Sequence, residues 1–246
     1  SEITQAAKDM ITAMLQVDPG RRLSAEEALH CEWMALDAGA LAATDLRGTR
    51  DQMRDSIADP EAAKKTKNAI IATNKFFSLG AMTSGLLVGN RQSSTGHEEP
   101  EFDFEDLYDW GKQIGIGTFS VIHRSVHRET NEVSAVKRVA RVDLWEEDAM
   151  ALQNEISSLR LVADCEYVVR LHEVFEEPDF TYMVLEELMG GYLIDKIIEK
   201  EHYDEDEGRE VCFRLISGLA HCHKKRIAIR DLKPENILLM KNSYID

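Results

Sequence analysis

Residues 229–239 read Ile-Arg-Asp-Leu-Lys-Pro-Glu-Asn-Ile-Leu-Leu. This stretch places three polar groups at close spacing, the carboxylate of Asp231, the ammonium of Lys233 and the amide of Asn236. Apolar residues follow these groups, and a helical pattern over about 205–225 precedes them. The stretch therefore reads as a loop that leaves a helix and presents a carboxylate, a cation and an amide together.

A glycine-rich turn, residues 115–120, lies well upstream between two predicted strands. Backbone amides approach phosphates closely only where side chains are absent, which explains the glycines at Gly115 and Gly117. Alone, this pair would also fit a plain β-turn. Lys137 follows on the next strand but one, and Glu155 on the adjoining helix is its candidate acidic partner. A solvated lysine and a surface glutamate are the alternative reading of those two residues.

The order of elements predicts an α+β fold. Short β-branched or apolar runs indicate strands at 121–126, 133–139, 168–175 and 182–188. A further strand leads into the glycine-rich turn, so five strands are expected. A helix carrying Leu152, Ile156 and Leu159 on one face lies among them, and more helix follows.

These motifs resemble those of the eukaryotic protein kinase family. Residues 229–239 match His-Arg-Asp-Leu-x-x-x-Asn at every specified position except the first, and Ala135-Val136-Lys137 matches Val-Ala-Ile-Lys. The Asp-Leu-Lys-Pro-Glu-Asn run at 231–236 is similar to the serine/threonine branch. Residues 189–197 resemble the Gly-Gly-Glu-Leu-Phe-Asp segment of calcium/calmodulin-dependent kinases. The resemblance covers 104–246 and implies a small lobe, with a five-stranded antiparallel sheet and one helix, followed by the start of a helical large lobe.

The resemblance also implies an activity, phosphoryl transfer from Mg·ATP to a protein hydroxyl. Asp231 would orient the hydroxyl, Lys233 would neutralise the moving phosphoryl group, and Asn236 would hold one magnesium. Lys137, oriented by Glu155, would reach the α- and β-phosphates. The residues that would contact the nucleotide are Ile114, Gly115, Gly117, Ser120, Ile122, Ala135, Lys137, Glu186, Leu188 and Leu238. Leu185 would be the gatekeeper.

Three positions depart from the family pattern. Ser120 replaces the third glycine, Tyr192 replaces the acidic residue that would meet the ribose, and Ile229 replaces the family histidine. The last two motivate an alternative, a pseudokinase or scaffold module that acts by binding partners. The Asp-Phe-Gly metal motif, the activation loop and the Ala-Pro-Glu anchor have no match here, so we expect the 246-residue chain itself to be inactive or nearly so.

The first 35 residues read as two short helices. Residues 10–15 provide an apolar face, Asp18-Pro19-Gly20 interrupts it, and Ser24-x-x-Glu27 has capping-box form. This region is similar to the last helices of a calmodulin-dependent kinase domain. The sequence therefore predicts the end of one kinase domain at 1–35, a regulatory tail and linker at 36–100, and the first part of a second kinase domain at 101–246. A circular permutation would explain this order only if the two pieces together made one domain, and they do not, because the metal motif, the activation loop and the anchor have no match. A mis-joined gene model is the alternative to the tandem arrangement.

Residues 62–97 contain no Asp or Glu, although the whole chain has a formal charge of −16. Within them, 62–82 carries Lys64, Lys65 and Lys67, followed by Ile70 and Phe77 on one helical face. The segment resembles the regulatory tail of such kinases and is a candidate calmodulin target. A solvated helix or linker is the competing reading.

Composition also limits the classes of partner and the cellular compartment that we expect. The acidic balance argues against nucleic acid or an anionic membrane. Four scattered cysteines indicate neither a zinc site nor a disulfide framework, which favours the cytoplasm or the nucleus. The sequence has no apolar run that approaches the roughly 20 residues of a membrane span.

Overall fold

The structure, a computed structural model, describes residues 3–37, 102–117, 120–142, 144–199, 204–230 and 232–240. The helices are α1 (Gln5–Met14), α2 (Ala25–Leu29), α3 (Glu32–Ala35), α4 (Phe104–Leu107), α5 (Glu146–Leu161), α6 (Leu193–Glu199) and α7 (Glu205–Lys224), with a 3-10 helix at Pro234–Asn236. The strands are β1 (Tyr108–Ile116), β2 (Ser120–His127), β3 (Val133–Ala140), β4 (Leu171–Glu176) and β5 (Phe180–Glu186).

The five strands form one antiparallel sheet in the order β1-β2-β3-β5-β4. Helix α5 lies between β3 and β4 in the chain, and α6 and α7 follow the sheet. The predicted α+β fold, with five strands, one helix among them and helices after them, is confirmed.

Alternation along the strands divides the core between the two faces of the sheet. Ala135 and Val139 of β3 share a buried cluster with Leu152 and Ile156 of α5. The intervening Val136 instead joins an aromatic cluster on the opposite face, made of Phe104, Tyr108, Phe175 and Tyr182. The face that α5 covers is the one on which Lys137 lies, so this packing positions the candidate site.

Two strands differ from the predicted runs. The run 168–175 was expected to be a strand throughout, but β4 begins only at Leu171. Val168 lies in a turn, where its amide donates to the Cys165 carbonyl, and its side chain is buried in the α5 cluster. A run of apolar residues indicates that a segment is buried, but it does not distinguish a buried turn from a buried strand. Strand β5 likewise ends at Glu186, two residues before the expected end.

The N-terminal helices pack against α7. Ser24 caps α2 in the predicted capping box with Glu27, and α3 adds a short third helix. A buried cluster that includes Met10 and Trp33 joins this region to Ile216 of α7. None of the helices in the described ranges has the length and apolar content needed to cross a membrane.

Candidate active site

Strand β3 and helix α5 bring a lysine and a glutamate into contact. The Lys137 ammonium donates hydrogen bonds to both carboxylate oxygens of Glu155, at 2.7 and 2.8 Å. The two side chains are 7% and 11% exposed. Burial raises the pKa of the Glu155 carboxyl, and the Lys137 ammonium opposes that shift. The contact to both oxygens holds the lysine in one orientation; its predicted role toward phosphate stays a prediction.

A cleft of about 290 Å³ lies beside β3, between the sheet and the residues that follow β5. Most residues predicted to contact a nucleotide line it, namely Ile114, Gly115, Ile122, Ala135, Glu186, Leu188 and Leu238. The predicted gatekeeper Leu185 lines it too. Gly117, Ser120 and Lys137 belong to the predicted set but are not part of this lining.

Two further lining residues, Lys112 and Val169, were not identified from the sequence. Lys112 lies on β1 beside Gln113, where the pairing of β1 with β2 is irregular. Strand alternation therefore does not assign its side chain to the face of Ile114. Val169 lies just before β4, in the turn that the sequence assigned to a strand. Its approach to the cleft depends on how that turn packs, which the apolar pattern does not specify.

The glycine-rich turn joins β1 and β2. Gly115 pairs with Ile122 across the hairpin. The Gly117 amide donates to the Ser120 carbonyl at 2.6 Å, and Ser120 is buried. Thr118 and Phe119, at the tip of the turn, lie outside the described residues. The described part of the turn is a hairpin, and of its two glycines Gly115 lines the cleft.

The segment after the 3-10 helix also lines the cleft. Leu238 makes a β-bridge with Tyr192. The Leu239 amide donates to the Gly191 carbonyl at 2.8 Å, and the Gly190 amide donates to the Leu239 carbonyl at 2.8 Å. These bonds join Leu238 to the segment that carries Gly191 and Tyr192, and all three residues line the cleft.

The loop predicted to be catalytic is described in part. Lys233 precedes the 3-10 helix and Asn236 ends it. The backbone N–H of Asn236 donates to the Lys233 carbonyl at 2.9 Å. Asp231 lies outside the described residues, although its neighbours Arg230 and Leu232 are described and exposed. The roles assigned to Asp231, Lys233 and Asn236 therefore stay predictions.

Two of the residues that depart from the family pattern, Tyr192 and Ile229, make contacts that the structure describes. Tyr192 lines the cleft, and burial, with a smaller contribution from Asp195, raises its pKa, so it stays a neutral phenol. Ile229 packs against the buried cluster that contains Cys222 and Ile227. An isoleucine thus contributes apolar packing at this point of the loop.

An ion pair connects the sheet to the edge of the cleft. The Arg124 guanidinium on β2 donates through Nε to Oε1 of Glu187 at 2.7 Å. The Glu187 side chain is only 14% exposed, and this residue lines the cleft. Sequence does not reveal this pair, because the two residues are 63 positions apart and no pattern matches one with the other.

Residues 108–245 match the family model of the protein kinase domain. The match covers more than half of the 246 residues. The chain therefore belongs to the protein kinase family, and the resemblance seen in its motifs is confirmed at this level.

Similar curated proteins are serine/threonine kinases and their relatives. A probable myosin light chain kinase of Dictyostelium discoideum is 34% identical over 134 residues, covering 54% of this chain and 34% of that protein. CBL-interacting serine/threonine-protein kinase 24 of Arabidopsis thaliana is 37% identical over 139 residues, covering 56% and 31%. Calcium/calmodulin-dependent protein kinase type II of Caenorhabditis elegans is 35% identical over 136 residues, covering 55% and 19%.

The chain spans between about a fifth and a third of the length of these relatives. The match to the family model, residues 108–245, contains the sheet and α7. The tandem arrangement, with boundaries at 1–35, 36–100 and 101–246, stays a prediction. The basic segment 62–82 lies outside the described residues.

Proposed function

We propose that this chain carries the nucleotide-binding part of a protein serine/threonine kinase, which transfers the γ-phosphoryl group of ATP to a hydroxyl of a protein substrate. The observation that supports this most directly is the buried Lys137–Glu155 pair, whose lysine lies two residues along β3 from Ala135, a residue of the cleft lining. A lysine oriented by a carboxylate, on a strand that also lines a cleft with apolar side chains, suits a ligand with an anionic end and a flat apolar end.

The chemistry of the cleft fits a nucleoside triphosphate. Ile122 and Ala135 of the sheet and Leu238 after the 3-10 helix all line the cleft, and they offer apolar surface to a base. Lys137 supplies the positive charge for phosphate oxygens. The glycine-rich hairpin lets a phosphate approach its backbone at Gly115 and Gly117, where no side chain intervenes. The Gly117 amide itself donates to the Ser120 carbonyl within the hairpin. Together these groups bind and orient the ligand without covalent chemistry.

The loop residues would complete the reaction. Magnesium, when bound, neutralises phosphate charge, and the amide oxygen of Asn236 is a suitable ligand for it. Lys233 would offset negative charge on the transferred group. Asp231 would orient the acceptor hydroxyl and take up its proton.

Nucleotide binding by the chain tests this proposal without requiring turnover. We expect a fluorescent ATP analogue to bind the chain and to bind the double variant Lys137→Met/Glu155→Gln at least about tenfold more weakly, since charge-assisted hydrogen bonds contribute about 1.5–3 kcal/mol. The double variant is preferred because Lys137→Met alone would leave a buried carboxylate without its cation. Circular dichroism checks that it is folded.

The matched control is Lys224→Met, the same change at an exposed lysine in the last turn of α7. Its affinity should equal that of the unaltered chain. Equal binding by the folded double variant would remove Lys137 from the site. Failure of the unaltered chain to bind any nucleotide would favour the partner-binding alternative.

We also propose that residues 62–82 are a calcium/calmodulin-binding segment that regulates the kinase. Support comes from the sequence, which has a lysine cluster followed by Ile70 and Phe77 and no acidic residue. Calmodulin presents Met-rich grooves to basic amphipathic helices. One relative is named as a calcium/calmodulin-dependent kinase. The two proposals are independent: a chain that does not bind calmodulin could still bind a nucleotide in the cleft.

A further inference from the structure

A side-chain contact joins two parts of the sheet that are not neighbours. The Arg124 guanidinium on β2 donates through Nε to Oε1 of Glu187, which directly follows β5, at 2.7 Å. Strand β3 lies between β2 and β5 in the sheet. The contact therefore crosses β3 and connects the segment after β5 to a strand beyond its own neighbour.

This ion pair is better shielded from water than a comparable pair on the same hairpin. The side chains of Glu187 and Arg124 are 14% and 37% exposed. Those of Arg128 and Asp109, which approach within 3.0 Å, are 50% and 66% exposed. Solvent screens an exposed pair, so it contributes little, whereas a carboxylate held largely out of water needs its cation. Loss of Arg124 should therefore disturb the segment that carries Glu187.

The backbone of Arg124 is fixed between two strands. On one side Arg124 pairs with Ala135 of β3. On the other side β1 approaches so closely that a Cβ added to Gly111 would lie 2.5 Å from the Arg124 carbonyl oxygen. The pairing of β1 with β2 is irregular at this point, between Trp110 and Gln113. The guanidinium thus reaches Glu187 from a backbone that has little freedom to move.

The segment that the pair holds contributes four consecutive residues, 186–189, to the lining of the cleft. Glu186 is held from the β4 side, since its amide donates to the Arg170 carbonyl at 3.0 Å and its Oε1 accepts from the Arg170 amide at 3.1 Å. Glu187 is held from the β2 side by Arg124. The same strand β2 carries Ile122, whose apolar side chain lines the cleft. The separation between β2 and this segment therefore affects the shape of the cleft.

We propose that Arg124 and Glu187 are positioning residues, whose ion pair holds residues 186–189 at a fixed separation from β2 and so shapes the cleft for the base of its ligand. The inference rests on the nucleotide site proposed above. Without the pair, the segment moves more freely relative to Ile122, and the ligand must order it on binding. Such an ordering step lowers affinity even though no ligand contact is removed.

Two measurements on the full chain test this role. Hydrogen exchange without nucleotide should show the amides of residues 186–189 exchanging at least about fivefold faster in Arg124→Gln and in Glu187→Gln, as expected for one lost local contact. Each variant should also bind a fluorescent ATP analogue at least about fivefold more weakly. The double variant should bind no more weakly than the weaker single variant, because both changes remove the same contact. Arg128→Gln, at the exposed pair, is the matched control and should leave both quantities unchanged.

The outcomes separate this proposal from the nucleotide site itself. Unchanged exchange at residues 186–189 in the folded single variants would overturn the positioning role, and so would unchanged affinity. Additive losses of affinity in the double variant would overturn it too, because Glu187 would then act on the ligand independently of Arg124. If the unaltered chain binds no nucleotide, the proposed function fails and the exchange rates alone decide the positioning. If circular dichroism shows that Arg124→Gln does not fold, Arg124→Lys, which keeps the charge and loses the Nε donor, takes its place in both measurements.

Discussion

At the scale of single residues, the cleft depends on side chains that meet across long stretches of sequence. The Lys137–Glu155 pair could be predicted, because a motif marks the lysine and helical spacing marks the glutamate on the adjoining α5. The Arg124–Glu187 pair could not, since no pattern says which of many charged residues will be partly buried together. Asp231 was predicted from a motif as clear as that of Lys137, and its position lies outside the described residues.

Gly190 is required by a close approach of backbone that its sequence context does not reveal. A Cβ added there would lie 2.5 Å from the Met240 carbonyl oxygen and 2.6 Å from that of Leu239. Because these are backbone atoms of the neighbouring segment, little room remains for adjustment. We therefore expect Gly190→Ala to lower the free energy of unfolding by roughly 1–3 kcal/mol, measured by urea denaturation.

Gly208 on α7 provides the matched control. An added Cβ at this helical glycine meets no atom within 4 Å. Because alanine is the better helix former, Gly208→Ala should raise the free energy of unfolding by up to about 1 kcal/mol. A change of the same sign and size at both glycines would contradict the close approach inferred for Gly190.

At the scale of elements, the apolar pattern predicted those helices and strands whose burial follows a regular period. Helix α5 has Leu152, Ile156 and Leu159 buried at the expected spacing. The four-residue α4 is too short to show any period, and its capping box uses Asp103 and Asp106 in place of the common serine and glutamate. Such an element is identified only by what it packs against.

Phe104 anchors α4 to the sheet. It is fully buried, and its ring stacks against Tyr108 at 5.1 Å and against Tyr182 at 4.6 Å between centroids. Phe104→Ala should lower the free energy of unfolding by about 3–5 kcal/mol, through lost burial and the cavity that remains. Phe213→Ala, at a residue 41% exposed on α7, should lower it by no more than about 1 kcal/mol. Equal effects in thermal or urea unfolding would show that α4 does not anchor the sheet.

At the scale of the whole molecule, residues 3–36 pack against α7. Sequence could not reveal this contact, because an amphipathic face such as that of α1 shows that a helix packs and does not show against what. The end of one kinase domain at 1–35 and the start of another at 101–246 stay a prediction.

Charge distribution along the whole chain leads to the last prediction. The chain carries a formal charge of −16, yet residues 62–82 hold four lysines and no acidic residue. Calcium-loaded calmodulin, itself acidic, should therefore bind the full chain through this segment, with Phe77 as an apolar anchor. Calorimetry should show micromolar or tighter binding that disappears when calcium is chelated. Phe77→Ala should weaken it by at least about tenfold, as expected for an anchor residue. Phe213→Ala, which removes a part-exposed aromatic ring elsewhere, should bind as the unaltered chain does. Binding that survives calcium removal, or that Phe77→Ala leaves unchanged, would refute regulation through this segment and leave the nucleotide site unaffected.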